Sequence, residues 1–197
     1  MNMYETVALF LQQKFSSLNH DFQEVSRKFQ LISVPKNTLL LEAGDNESEL
    51  RFLSKGTVRE FYATAEKEVN INFYTKPQFI TDLLAFTNQQ KTKKYQQTLS
   101  EAEILVMHKS TFNGLLEQHQ CGKSLIDETF RKLLKHQQEQ EFNRRTKSPE
   151  EQYQYILDNK ADWLQSIPQY QIASYLNITP ETLSRIRGRL SSTPITG

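Results

Sequence analysis

Over residues 4–30 the apolar positions Val7, Phe10, Leu11, Phe15, Leu18, Phe22, Val25 and Phe29 fall at steps of three and four. That is the spacing of one helical face, and it predicts a short helical segment or pair of helices. From Leu31 to about Met107 the rhythm changes. Leu31–Val34, Thr38–Leu41, Arg51–Leu53, Thr57–Tyr62, Val69–Tyr74 and Ile104–Met107 are short β-branched or aromatic runs. Turn-forming stretches separate them: Pro35-Lys36-Asn37, Ala43-Gly44-Asp45, Lys55-Gly56, Ala63–Lys67 and Lys76-Pro77. Strands so closely spaced predict an antiparallel roll, sandwich or barrel. After Lys109 the helical period returns in Leu115-Leu116, Leu125-Ile126, Phe130 and Leu133-Leu134, followed by a Gln/Glu/His-rich stretch at 135–141 read as a solvated helix face.

Ser148-Pro149-Glu150-Glu151 reads as a fresh helix start. Serine stands at the N-cap, proline at the first helical position, and glutamate at the third completes a capping box. Beyond it, residues 169–188 (QYQIASYLNITPETLSRIRG) match a helix-turn-helix. Two short helices that cross steeply need a small residue at the crossing, and Ala173 supplies it. Ile172, Leu176, Ile178, Leu183 and Ile186 fall where each helix must bury itself against the other. The turn requires a left-handed residue, for which Asn177 is the most tolerant choice after glycine. Thr179 then caps the second helix and Pro180 opens it. Glu181, Thr182, Ser184, Arg185 and Arg189 project outward, all of them types that reach base edges or phosphates. An ordinary capped helical hairpin is the plain alternative.

Composition narrows the classes. The 197 residues carry 24 Lys+Arg against 23 Asp+Glu, a formal net charge of +1, so no global basic field advertises nucleic acid. The basic excess is local: residues 144–197 hold seven basic and five acidic side chains, with Arg185, Arg187 and Arg189 bunched together. A single cysteine, Cys121, excludes an intramolecular disulfide and a cysteine-based zinc or iron–sulfur site within one chain. It is read as a bystander. The four histidines, His20, His108, His119 and His136, avoid the strand-rich region except at its edge, against a cupin-type metal centre. No phosphate-binding glycine loop, nucleophile elbow or HExxH motif occurs. No metal, cofactor or enzymatic activity is expected. Neither a signal segment nor a run of about 20 apolar residues is present, and the expectation is a cytoplasmic protein with no membrane partner.

Ser148–Leu190, with IPQYQIASYLNITPETLSRIR at its centre, resembles the C-terminal domain of bacterial Crp/Fnr-type transcription regulators. The remaining order resembles that family too. Leu41-Glu42-Ala43-Gly44-Asp45 and Lys55-Gly56-Thr57-Val58 are similar to its early turns, and Phe79-Ile80-Thr81-Asp82-Leu83-Leu84 stands where its phosphate-binding segment begins. The resemblance implies an α+β chain in three parts. An N-terminal antiparallel β-roll of the cyclic-nucleotide-binding type, with N-terminal helices, spans 1–122. A long dimerisation helix spans 123–147. A winged-helix-like helix-turn-helix domain, its wing reduced or absent, spans 148–197.

Function follows as an expectation: a sequence-specific regulator that binds double-stranded DNA as a homodimer. The resemblance also admits a contact with RNA polymerase. Glu181 and Arg185 would read bases, with Gln169, Gln171, Thr179, Thr182, Ser184, Arg187 and Arg189 completing the DNA contact. Leu125, Ile126, Phe130, Leu133, Leu134 and Gln137 would form the dimer seam.

The effector pocket is where the chain departs from the family. Its cyclic-nucleotide binders place a Glu on the ribose within a Gly-Glu-Leu-Gly-type turn, and an Arg on the phosphate about ten residues later. Here the turn reads Thr81-Asp82-Leu83-Leu84, without glycine. The arginine position falls on Thr92, among Lys91, Lys93 and Lys94, and no arginine lies between Arg59 and Arg131. A lysine neutralises charge but lacks the planar two-pronged donor. Phe79, Ile80, Thr81, Asp82, Leu83, Thr92 and Lys93 are the candidate pocket, and ordinary cyclic-nucleotide binding is expected to be lost, the effector being unknown. Two alternatives remain open: a cyclic-nucleotide-responsive regulator with a rebuilt pocket, and an interaction module whose helical tail binds protein.

Overall fold

The computed structural model describes residues 2–14, 22–118 and 122–192. Phe15, Leu18 and Cys121 lie outside them. Helices α1 (Met3–Lys14) and α2 (Phe22–Ser26) precede strands β1 (Gln30–Val34), β2 (Leu39–Leu41), β3 (Glu49–Lys55), β4 (Val58–Ala63), β5 (Glu68–Tyr74) and β6 (Gln78–Phe79). Helix α3 (Leu83–Asn88) interrupts the strands before β7 (Tyr95–Thr98) and β8 (Ala102–His108). These strands make two four-stranded antiparallel sheets, ordered β1-β8-β3-β6 and β2-β7-β4-β5. The strands form an open roll of two facing sheets and not a closed barrel.

Side-chain alternation explains the layering, since successive residues of a strand point to opposite faces. On β3 and β8, Leu53 and Ile104 enter a core between the sheets with Val34, Val58, Tyr74, Ile80 and Ala102. Their neighbours Phe52, Leu105 and Met107 point the other way, into a second layer closed by Val7 and Leu11 of α1 and by Leu115 of α4 (Lys109–Gln118). At β3 and β8 both faces of the sheet are thus covered, which is why β8 carries the apolar run Ile104–Met107.

The β3–β4 turn depends on Gly56, at φ +102°, where an added Cβ would lie 2.5 Å from the carbonyl oxygen of Glu101. Strands β6 and β7 and helix α3 go beyond the sequence reading. Strand β7 (YQQT) buries Gln96 and Thr98 where an apolar residue would ordinarily mark a strand.

A 25-residue helix, α5 (Gly122–Thr146), leads away from the roll. Then follow α6 (Pro149–Asn159), α7 (Ala161–Ser166), α8 (Gln169–Tyr175) and α9 (Pro180–Ser192). Ser148 Oγ accepts from Glu151 N at 3.2 Å while the Glu151 carboxylate accepts from Ser148 N at 2.7 Å, the capping box read from the sequence. Among the described residues 148–192 the secondary structure is all helical. Their core is built on Tyr153, Ile156, Trp163, Ile167, Ile172, Ala173, Leu176, Leu183 and Ile186, and Phe73 of β5 joins it from the roll.

Candidate functional site

Ala173 is fully buried, and the turn after α8 closes through Ile178 N donating to Ala173 O at 3.0 Å. Asn177 takes the left-handed conformation, φ 55°. Thr179 Oγ1 accepts from Thr182 N at 3.2 Å, capping α9, whose first residue is Pro180. Leu183, Ile186 and the half-buried Leu190 turn inward. At about 100° per residue, Glu181, Ser184, Arg185 and Gly188 lie on the opposite side. All four are exposed. A backbone hydrogen bond and the Thr179 hydroxyl, with a smaller pull from Arg185, hold the Glu181 carboxyl below its ordinary range. This edge therefore offers a carboxylate acceptor, a hydroxyl and a guanidinium side by side. At Gly188 an added Cβ would meet nothing within 4 Å, in keeping with its place on the exposed face.

The other residues expected at the nucleic acid divide. Arg187 is exposed; Thr182 is half-buried beside the cap; Arg189 pairs with Glu150 of α6 at 2.8 Å. Gln169 is half-buried, with its Oε1 enclosed. Gln171 departs from expectation. It is only 6% exposed, and its Oε1 accepts from Asn70 Nδ2 at 2.5 Å and from Arg59 Nη1 at 3.4 Å. The reason is the seating of α8 on β5. Asn70 Nδ2 also reaches Gln171 O (3.0 Å), Ser174 Oγ accepts from Asn70 N (3.2 Å), and Trp163 packs edge-on between Phe73 (5.0 Å) and Tyr175 (5.1 Å). In this arrangement Gln171 serves the contact between roll and helices, and is not presented to a duplex.

Inside the roll, the turn and the strand singled out for effector binding do meet. Thr92 Oγ1 donates to Asp82 Oδ2 at 2.7 Å, as the ten-residue spacing implied. The lysine that enters is Lys94, not Lys93, which stays exposed. Lys94 Nζ lies 3.3 Å from Glu60 Oε1 and 3.5 Å from Asp82 Oδ1, and Glu60 also accepts from Gln96 Nε2 (2.9 Å) and the Tyr74 hydroxyl (3.1 Å). Burial disfavours the Lys94 ammonium, but Glu60 and Asp82 outweigh that and raise its pKa. Thr81 is spent on the Arg51 amide (2.7 Å), and Ile80 contributes its carbonyl to Gln96. Phe79 packs instead with Phe10 and Phe52 in the helix-covered layer, and Leu83 begins α3. The Arg51 guanidinium on β3 is committed to Glu47 and to Leu40 O. Glu60 and Lys94 were missed because a lone Glu in a strand and one lysine among three carry no pattern.

Residues 31–119 match the family model of the cyclic nucleotide-binding domain. Solved structures match along most of the chain. FixK2 from Bradyrhizobium japonicum superposes with a TM-score of 0.70 at 14% identity, covering 86% of this chain and 87% of that one. CLP from Xanthomonas campestris, described as a c-di-GMP responsive global regulator, gives 0.65 at 13%, with 84% and 88% covered. The catabolite activator protein of Thermus thermophilus gives 0.51 at 16%, with 84% and 79% covered. The chain has the Crp/Fnr-type fold. No curated protein matches it in sequence.

Helix α5 joins the roll to the helix-turn-helix unit. Of the expected seam, Leu134 is 57% exposed; the side chains of Leu125, Ile126, Phe130, Leu133 and Gln137 lie outside the described ones. Phe142, which the sequence reading did not include, is 63% exposed two turns further on. None of the described helices is long and apolar enough to cross a membrane.

Proposed function

We propose that the chain is a sequence-specific DNA-binding transcription regulator whose roll does not take an ordinary cyclic nucleotide. The observation that carries the DNA-binding half is the open edge of α9. A capped helix, set by the left-handed Asn177, presents Glu181, Ser184 and Arg185 to solvent while its apolar stripe is buried. Arg185 is suited to guanine, Glu181 to a cytosine amine, and the hydroxyls to phosphate. Pairing of α5 with its copy would bury Leu134 and Phe142. It would also set two recognition helices about 34 Å apart, one per half-site of a pseudo-palindrome.

Charge in the roll argues the other half. Glu60, Asp82 and Lys94 form a buried cluster with one more carboxylate than ammonium, and Glu47 and Arg51 neutralise each other. A cyclic phosphate placed there would add a second unmatched negative charge in a poorly solvated site. The match to the cyclic nucleotide-binding domain favours the second reading, a nucleotide-responsive regulator with a rebuilt pocket. Calorimetry of the full chain with cyclic AMP and cyclic GMP separates the two. Absence of saturable heat is expected, and micromolar binding would replace the first reading by the second. For the DNA interface, Arg185→Ala should cost about 1–3 kcal/mol of affinity and relax one base position. Unchanged affinity and site preference would contradict it.

A further inference from the structure

A cleft of about 90 Å³ lies where the linker helix meets the helix-turn-helix unit. The last turns of α5, the outer face of α6 and Tyr175 at the end of α8 wall it. Three cations face it, Arg144, Lys147 and Lys160, against one carboxylate, Glu139. The acids around it are engaged elsewhere: Glu139 with Lys135 at 4.0 Å, Glu141 with Arg145 at 2.9 Å, and Asp162 with Lys76 at 2.9 Å. Among the described residues none of the three cations has an acid partner within salt-bridge reach.

Each cation instead rests near an aromatic ring. Arg144 stands 5.9 Å from the ring centre of Tyr175, Lys147 5.4 Å from Tyr155, and Lys160 3.7 Å from Trp163. A ring face attracts a cation but does not neutralise it. The consequence shows at Lys160. Burial pulls its pKa down to about 8; Asp162 opposes the fall, and Lys76 adds to it. Three cations thus line one partly open cleft, and among the described residues no acid pairs with any of them there.

Volume bears on what counter-charge it can take. At about 90 Å³ the cleft is smaller than the roughly 150 Å³ of an engineered cavity that takes benzene, so it suits a small ion better than a nucleobase. A tetrahedral oxyanion fits it. We propose that the cleft is a binding site for a small free oxyanion of the phosphate or sulfate class, held by Arg144, Lys147 and Lys160. Asn143, which also lines the cleft, adds an amide donor, while the Gln152 amide donates to Lys147 O at 2.9 Å and holds that end of the cleft. The ion would tie α5 to α6 and to the loop that enters α7, fixing the angle at which the helix-turn-helix unit leaves the linker. The inference stands apart from DNA binding, since the site needs no duplex to form.

Isothermal calorimetry on the full chain tests it, with inorganic phosphate and with sulfate, against chloride at matched ionic strength. One saturable site is expected for both oxyanions and none for chloride. Lys147→Gln and Lys160→Gln should each weaken it about tenfold, as expected for losing one charge-assisted hydrogen bond. Sulfate does not titrate near pH 8, so it also reports on Lys160 directly. Its negative charge should raise the Lys160 pKa, so binding takes up protons and the heat depends on the buffer's ionisation enthalpy. That dependence should vanish in Lys160→Gln while Lys147→Gln keeps it. No saturable heat beyond chloride, an affinity in either variant as tight as in the unsubstituted chain, or buffer dependence that persists in Lys160→Gln would each overturn the proposal. So would a site perturbed only by duplex DNA.

Discussion

Two single positions in the roll make strong demands on residue type. Gly56 combines φ +102° with a neighbouring carbonyl that leaves no room for a Cβ. Gly56→Ala should cost at least ~2 kcal/mol, read as a fall in the urea midpoint. Among the described residues Lys94 is the one cation paired with the buried carboxylates Glu60 and Asp82, so Lys94→Met should cost about 3–5 kcal/mol by stranding them. The sign of its pH dependence is fixed. In the native chain Lys94 has a raised pKa, so its contribution is whole below the ordinary lysine value of 10.5 and is lost as pH climbs through the folded value. The deficit of Lys94→Met should therefore shrink as pH climbs through the folded Lys94 value. Denaturant titration of both proteins at neutral and strongly alkaline pH checks this, and a deficit constant with pH would assign the loss to packing.

At the scale of elements, the seat of α8 on β5 is the contact that decides where the helix-turn-helix stands. Asn70 bonds to both the backbone and the side chain of Gln171. Asn70→Ala should cost about 1–3 kcal/mol by unpairing buried groups, and limited proteolysis between roll and helices should quicken. Ser148→Ala, at the capping box, should cost about 1 kcal/mol in thermal unfolding.

The elements most legible in the sequence are those whose rule is local. The Ser148 cap, Ala173 at the helix crossing, left-handed Asn177 and the Thr179 cap are each a single-residue demand with few answers, and the structure shows all four. What stayed hidden is long-range. Gln171 looks like a surface polar residue until β5 is packed on it. Gln96 and Thr98 look like loop residues until Glu60, Ile80 and Pro35 are found opposite. Polar burial depends on partners distant in the chain, and periodicity does not register them.

For the whole molecule, the central claim is that one edge of α9 reads a duplex from a chain whose net charge is only +1. Attraction to phosphate must then come from a local arrangement of cations. Two copies joined through α5 would double the contact, and sedimentation should report a dimer that Leu134→Lys and Phe142→Lys weaken. The most direct test is the affinity of the full chain for labelled duplex across a salt series, followed by fluorescence anisotropy. The logarithm of the association constant should fall linearly with the logarithm of salt, by about 0.9 for each phosphate contacted. Arg185→Ala should lower affinity for a selected site more than for a random duplex. Failure to bind any duplex at low salt, or an affinity indifferent to salt, would contradict the account.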